Sequence, residues 1–396
     1  MSDPSPPTPL YKVLVATFLA SVSGGAFWSA IFFVTANAFA FSAKRNLALA
    51  SLMGVAYTVG AWCSGWVVRK SSKWMSARSV VIAALLSWAA FACVPLGIAP
   101  TQPAAVWVAA VGGSLTSSLV WPVMESYMSA GRHGASMRHA VGRFNLTWTP
   151  AVAMPLLFMP LVARWNVLAT VALCAVFNAL SSLVVRTFSP QPGHHDEHSS
   201  SQTVGANYVF LARATMWMLP VCYAISSTMS PLLPSRLNEL NVSASTAPLW
   251  AATWMLTRFV ALAVLWQNSF WHGRWWPLLG GSAGLLCGVA LVLMAPFAWV
   301  CALGLACFGC GLGIVYYASL YYSLAVGQAQ VDAGGKFEAL VGLGYIVGPG
   351  LGLAGFAFEP HISANAATLS LCFVGAGVAS IGPVRAYRSG ARRSVS

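Results

Sequence analysis

Charge is scarce in this sequence, and that scarcity decides the class of protein. Of the 396 residues only 29 are charged, 21 of them basic and 8 acidic. This is 7% of the chain, against about a quarter in a soluble domain, while 58% of the residues are hydrophobic. A water-soluble fold cannot hide so much apolar surface. The composition therefore predicts a polytopic protein whose main surroundings are the lipid bilayer.

Several motifs of catalysis and cofactor binding are also missing. No Walker-type Gly-x-x-x-x-Gly-Lys-Ser/Thr is present, so this chain does not itself use ATP. The clustered His, Asp or Glu that an intramembrane protease needs does not occur, and Cys307-x-x-Cys310 lacks the second Cys/His pair of a zinc site. The run His194–His198 either binds a transition metal or is a solvated loop. We predict no enzymatic activity, no cofactor and no resident metal.

What the sequence does contain is about a dozen long apolar runs. A bilayer core about 30 Å thick needs roughly 20 apolar residues per helix. Twelve helices is the best count, with ten or eleven if a short run is re-entrant, and the runs are too long and too little alternating for barrel strands. The candidate spans lie near 11–36, 46–68, 79–99, 104–130, 140–163, 165–187, 208–233, 247–267, 276–299, 300–326, 338–358 and 365–387.

The distribution of Lys and Arg predicts the orientation. With the N-terminus in the cytoplasm, 16 of the 21 basic residues fall on the cytoplasmic side, four fall outside, and Arg258 lies within a span. This positive-inside bias places both termini in the cytoplasm of a multi-pass plasma (inner) membrane protein. The net charge of +13 then reflects topology and anionic headgroups, and we expect no nucleic-acid partner. The first residues lack the features of a cleaved signal peptide, so we expect none.

One polar, low-complexity stretch divides the chain into two halves of similar length. It begins at Ser189-Pro190 and includes the His-rich run. We predict an N-terminal six-helix bundle over 1–188, a cytoplasmic linker over 189–207 and a C-terminal six-helix bundle over 208–396. A flexible linker of this kind would let the halves rock against each other.

Weak internal similarity suggests that the halves are repeats. Thr149-Pro150 and Gly348-Pro349 lie 199 residues apart, and Trp66 and Trp266 lie 200 apart. Each match alone is weak, but the common offset favours a parallel duplication.

The 6+6 spans, the cytoplasmic termini and the cytoplasmic central loop resemble the major facilitator superfamily of secondary transporters. In the loop after the second span, Gly65 and Lys73 fit the family pattern, whereas Arg69 replaces the usual Asp and Ser72 replaces a Gly. The run from Gly344 to Gly352 is similar to the family's glycine-proline packing motif. The resemblance implies an alternating-access transporter and a gate near Arg69 and Lys73.

Arg258 is the sharpest single feature, because it lies near the middle of an apolar run. A guanidinium at that depth is costly and must face a cavity or a partner. Its planar fork suits a carboxylate or phosphate of an anionic substrate, but a structural bond between helices would explain it equally well. No acid was found at a similar depth, which favours the substrate reading.

Glu125 is interpreted as the only carboxylate well inside a run, close to the cytoplasmic mouth. Its spacing to Arg132 is similar to the Glu/Arg pairing of many family members, and Arg138 or Arg143 are alternative partners. We predict a gate salt bridge or a static tie in preference to a proton carrier.

By the resemblance, spans one, four, seven and ten line the central path, where aromatic and polar residues are dense. Ordinary packing and interfacial belts would explain many of these residues too. The predicted substrate-binding residues are Arg258, Trp28, Tyr57, Trp121, Asn145, Trp148, Tyr223, Trp254, Tyr317 and Tyr321. The same dense set includes Ser226, Ser227, Tyr316 and Tyr345.

The sequence thus predicts a monomeric transporter that moves a small organic solute, with a slight preference for an anionic or amphiphilic one. The alternative is a receptor or assembly factor that has a transporter-like fold but does not transport, because the missing Asp after the second span is consistent with a protein that no longer cycles. The sequence does not separate the two.

Overall fold

A computed structural model describes residues 7–97, 102–132, 134–192, 206–326, 331–359 and 361–393. All regular secondary structure in these residues is helical. The twelve helices are α1 Leu10–Phe39, α2 Ala43–Ser71, α3 Ala77–Gly97, α4 Pro103–Ser129, α5 Gly134–Val162, α6 Ala169–Val185, α7 Ala206–Glu239, α8 Ala247–Gln267, α9 Trp276–Met294, α10 Ala298–Val326, α11 Val331–Ala357 and α12 Ala364–Arg393.

The prediction of an all-α polytopic membrane protein with about twelve spans is confirmed. Among the described residues, ten helices are long and apolar enough to cross a membrane. The apolar parts of the other two are shorter, Ala169–Val185 in α6 and Ala364–Val378 in α12.

The same packing pattern occurs in both halves. In the first half α1 packs on α5 and α6, while α4 packs on α2 and α3. In the second half α7 packs on α11 and α12, while α10 packs on α8 and α9. Each helix therefore has a counterpart six positions later, as a parallel duplication predicts. The halves meet mainly along two seams, α2 against α11 and α5 against α8.

Small residues of α11 allow close approach to its neighbours. Gly348 faces the backbone of α7 at Ala224, and its carbonyl accepts a hydrogen bond of 2.6 Å from Thr228 Oγ1. Gly352 faces Leu47 of α2. The segment identified as a glycine-proline packing motif thus holds α11 between one helix of its own half and one of the other.

The start of the predicted linker is fastened to the first half. Arg78 donates a hydrogen bond of 2.9 Å to the Phe188 carbonyl, and Tyr127 donates one of 2.8 Å to the Ser189 carbonyl. The Thr8 hydroxyl accepts from the Ser189 amide at 3.0 Å. Residues 193–205 lie outside the described residues, so the linker boundaries and the metal hypothesis for His194–His198 remain predictions.

Candidate functional site

A cavity of about 140 Å³ lies between the two halves. This is about ten times the space that one water molecule needs. Its walls come from α1, α2, α4 and α5 of the first half and from the equivalent α7, α8, α10 and α11 of the second. All four spans expected to line a central path contribute, together with four more.

Arg258 of α8 lies in the wall of this cavity and is only 4% exposed. Its guanidinium carbon lies 4.6 Å from the ring centre of Trp148 and 4.7 Å from that of Tyr316. One terminal nitrogen donates a hydrogen bond of 3.2 Å to the Tyr223 hydroxyl. Within the described residues, Nε has no hydrogen-bond partner and no carboxylate lies within ion-pair distance. The charge is held by aromatic faces and not by a counter-ion.

Asn145 fixes the ring that covers this cation. Its Oδ1 accepts a hydrogen bond of 2.9 Å from Trp148 Nε1, and its Nδ2 donates one of 2.9 Å to the Val141 carbonyl. Asn145 itself is fully buried and lies outside the cavity wall. It acts on the cavity through Trp148.

A carboxylate lies in another part of the same cavity. Glu338 of α11 is 7% exposed and accepts a hydrogen bond from the Tyr57 hydroxyl of α2, which bridges the two halves. The Tyr57 ring lies 5.4 Å from that of Tyr345, which in turn lies 5.4 Å from that of Tyr223. Three tyrosines therefore form a row: Tyr57, which binds Glu338, then Tyr345, then Tyr223, which binds Arg258.

A local distortion of α1 contributes to the cavity wall. Residues Ala26–Ala30 form a π-helical turn, and both Trp28 and Ser29 within it line the cavity. The Trp28 ring stacks on Tyr345 at 4.2 Å with an interplanar angle of 13°. Turns of this type are rare and occur often at functional sites.

Glu125 of α4 also lines the cavity, and its place at a cytoplasmic gate stays a prediction. No ion pair or hydrogen bond to it is found in the described part of the chain. Arg132 lies beyond the end of α4 at Ser129 and caps this helix. It donates to the carbonyls of Met128 at 2.6 Å and Thr8 at 3.2 Å.

Two of the predictions about buried charge are wrong. Glu125 is not the only carboxylate inside a helical run, because Glu338 is buried and lines the cavity as well. Acidic residues do lie near Arg258, because Glu125, Glu338 and Arg258 line the same cavity.

Seven of the ten predicted substrate-binding residues are brought together in the cavity wall. Tyr317 and Tyr321 are not, and Asn145 lies behind Trp148. Adjacent helical residues point about 100° apart, so Tyr316 faces the cavity while Tyr317 faces elsewhere. The Tyr317 and Tyr321 rings pack on Trp271 at 5.7 and 4.8 Å. The seven are Arg258, Trp28, Tyr57, Trp121, Trp148, Tyr223 and Trp254.

The remaining predicted gate residues lie outside the cavity. Arg69 and Lys73 are exposed at the end of α2 and in the loop after it. Arg138 is exposed on α5 and acts on His272 of the α8–α9 loop: burial lowers the pKa of the His272 imidazole, and the positive charge of Arg138 lowers it further.

Solved structures match nearly the whole chain. The nucleoside transporter NupG matches with a TM-score of 0.68 at 14% identity, over 96% of this chain and 98% of its own. The human organic anion transporter MFSD10 (TETRAN) matches with a TM-score of 0.62 at 13% identity, over 92% and 97%. This chain has the major facilitator fold. Neither a family profile nor a curated protein sequence matches it.

The major facilitator fold confirms the architecture predicted from twelve spans in two bundles. At identities of 14% and 13%, the similarity shows the fold alone. The roles of individual residues in these transporters do not transfer to this chain.

Proposed function

We propose that this protein carries a small organic solute across the membrane by alternating access, with the solute bound in the cavity between the halves. The observation that carries the proposal is Arg258, a buried cation that faces this cavity without a counter-ion among the described residues. A static tie would be expected to satisfy the guanidinium fully, because an unsatisfied charge in a membrane is costly.

The composition of the wall supports an anionic or amphiphilic solute. Arg258 offers hydrogen bonds to a carboxylate, a phosphate or a carbonyl oxygen. Trp28, Trp121, Trp148 and Trp254 offer apolar faces to the rest of the molecule. The similar folds of a nucleoside transporter and an organic anion transporter agree with a solute of this size range. We further propose a monomer in the plasma membrane, with both termini in the cytoplasm.

The test is uptake into proteoliposomes by wild type and Arg258→Gln, with candidate solutes selected by thermal shift of the purified protein. We expect wild type to accumulate at least one solute and the variant to lose about tenfold or more of its affinity, since hydrogen bonds to a charged group are lost. Arg164→Gln is the matched control, because Arg164 is an exposed arginine.

Two outcomes would contradict the proposal. If Arg258→Gln retains wild-type uptake, Arg258 is structural and the site lies elsewhere. If solutes bind in the cavity but no vesicle preparation transports them, the protein is a receptor on a transporter fold.

A further inference from the structure

The cavity contains opposite charges that do not neutralise each other. One guanidinium, Arg258, and two carboxyl groups, Glu125 and Glu338, line the same space. Within the described residues, none of the three forms an ion pair. Glu338 accepts a hydrogen bond from Tyr57, Arg258 donates one to Tyr223, and Glu125 has none.

The aromatic row keeps Arg258 apart from Glu338. Tyr223 contacts Arg258, Tyr57 contacts Glu338, and Tyr345 lies between them with centroid separations of 5.4 Å on each side. Arg258 and Glu338 are thus bound to different tyrosines of this row and form no ion pair with each other.

A ligand with charge of only one sign is poorly suited to such a cavity. In a space of low dielectric constant a simple anion attracted by Arg258 is repelled by Glu125 or Glu338 wherever that group is ionised. A simple cation attracted by the carboxylates is repelled by Arg258 in the same way. Only a molecule with a negative or hydrogen-bond-accepting end and a positive or donating end satisfies both sets of groups.

We infer that the solute is dipolar, with an acidic or strongly accepting group bound by Arg258, a basic or donating group bound by Glu338 or Glu125, and an apolar body between them. This inference rests on the proposed function and narrows the solute class. Arg258 is 4% exposed and its Nε lacks a partner among the described residues, so the acceptor end has a built site. One face of Tyr345 stacks on Trp28, and the Tyr57 and Tyr223 rings stand at 88° to the Tyr345 ring, so this side of the cavity is aromatic.

Three matched probes test the inference on the purified full-length protein. In 4-(aminomethyl)benzoate an ammonium and a carboxylate lie at opposite ends of one ring. In 4-methylbenzoate a methyl group replaces the aminomethyl group, and in 4-methylbenzylamine a methyl group replaces the carboxylate. Affinities are measured by calorimetry for wild type, Arg258→Gln and the double variant Glu125→Gln/Glu338→Gln.

For wild type we expect 4-(aminomethyl)benzoate to bind about tenfold or more tightly than either singly charged probe. Arg258→Gln should abolish the advantage over 4-methylbenzylamine, and the double glutamate variant should abolish the advantage over 4-methylbenzoate. Tyr57→Phe keeps all three charges, so it should keep the preference even if it binds each probe more weakly.

Failure of the inference can be told apart from failure of the proposed function. If 4-methylbenzoate binds wild type as tightly as the zwitterion and the glutamate variants change nothing, the site is a simple anion site and transport is unaffected. If none of the three probes binds wild type, the inference is also overturned. Arg258-dependent uptake of another solute would keep the proposed function in both cases.

Discussion

The two seams between the halves are equivalent by the internal repeat but differ in how they are packed. In the α2–α11 seam, Gly54 of α2 faces the backbone carbonyl of Tyr345. In the α5–α8 seam, Gly142 of α5 faces the indole of Trp266. The first seam brings two backbones together, whereas the second places a large side chain against a glycine.

Repeat-related residues make the difference clearer. Gly142 has its counterpart 200 residues later in Gly342, which faces Thr58 of α2. Trp266 has its counterpart in Trp66, but Trp66 is 56% exposed and carries Lys70 over its ring. The tryptophan of this repeat position thus joins the halves in the α5–α8 seam, as Trp266, but points outwards beside the α2–α11 seam, as Trp66.

The two halves are therefore held together by two contacts of different stiffness. A backbone contact cannot adjust to added volume without moving a whole helix, because interiors are close-packed. An indole against a glycine can rotate or shift on its own. We expect the α2–α11 seam to be sensitive to single methyl groups and the α5–α8 seam to tolerate them.

The largest effect is expected for Gly54→Ala, which breaks the stiffer seam. The new Cβ would meet the Tyr345 carbonyl, so α2 and α11 must separate, at a cost of about 1–3 kcal/mol. The measurement is the melting temperature of the purified protein. Gly350→Ala, on α11 with open space around the new Cβ, is the control. A melting temperature equal to that of wild type would mean that the seam is not close-packed.

Tyr57→Phe tests the polar link across the same seam. The variant removes the hydrogen bond to Glu338 and leaves that carboxyl without its donor, so we expect a loss of about 1 kcal/mol. The measurement is the melting temperature of the purified variant relative to wild type. Tyr11→Phe removes a hydroxyl from a side chain that is 64% exposed and should change nothing. Equal behaviour of the two variants would argue against the link.

Gly142→Ala is the direct counterpart of Gly54→Ala in the softer seam. Its Cβ would meet the Trp266 indole, which can shift, so we expect a smaller loss than for Gly54→Ala, below about 1 kcal/mol. Both variants are compared in one unfolding series. If Gly142→Ala is the more damaging of the two, the assignment of stiff and soft seams is reversed.

Much of the site could be predicted from sequence because buried charge is so conspicuous in apolar runs. Arg258 is recognised for this reason. Glu338 is not, because the apolar run begins there, whereas α11 begins at Val331. Seven residues are about two helical turns, so a residue that looked like the edge of a loop lies well inside the helix. Charged residues nearby had hidden the start of the helix.

Other features had no signal in one sequence. Nothing in Ala26–Ala30 distinguishes the π-helical turn from the α-helix around it. That turn rotates the following residues relative to the preceding ones, and such rotation results from packing between helices. Similarly, the choice between Tyr316 and Tyr317 as the cavity residue depends on the rotation of α10, which a run of apolar residues on all sides does not fix.

The smallest expected effect is a dependence of the softer seam on pH. His272 of the second half and Arg138 of the first act on each other where the α8–α9 loop lies near α5. Burial and the Arg138 charge lower the pKa of His272 below its value of about 6.5 in an unfolded chain. The unfolded state then binds the proton more readily, so stability falls as the pH drops below about 6.5.

His272→Gln removes this titration while it keeps a polar side chain of similar size. Between pH 7.5 and 5.5 we expect the melting temperature of wild type to fall more than that of the variant, because other groups titrate equally in both. Arg138→Gln should reduce the difference partly, since burial is the larger cause of the lowered pKa. Parallel curves for wild type and His272→Gln would mean that His272 does not couple the halves. In that case the contrast between the α5–α8 seam and the α2–α11 seam would be one of shape and not of charge.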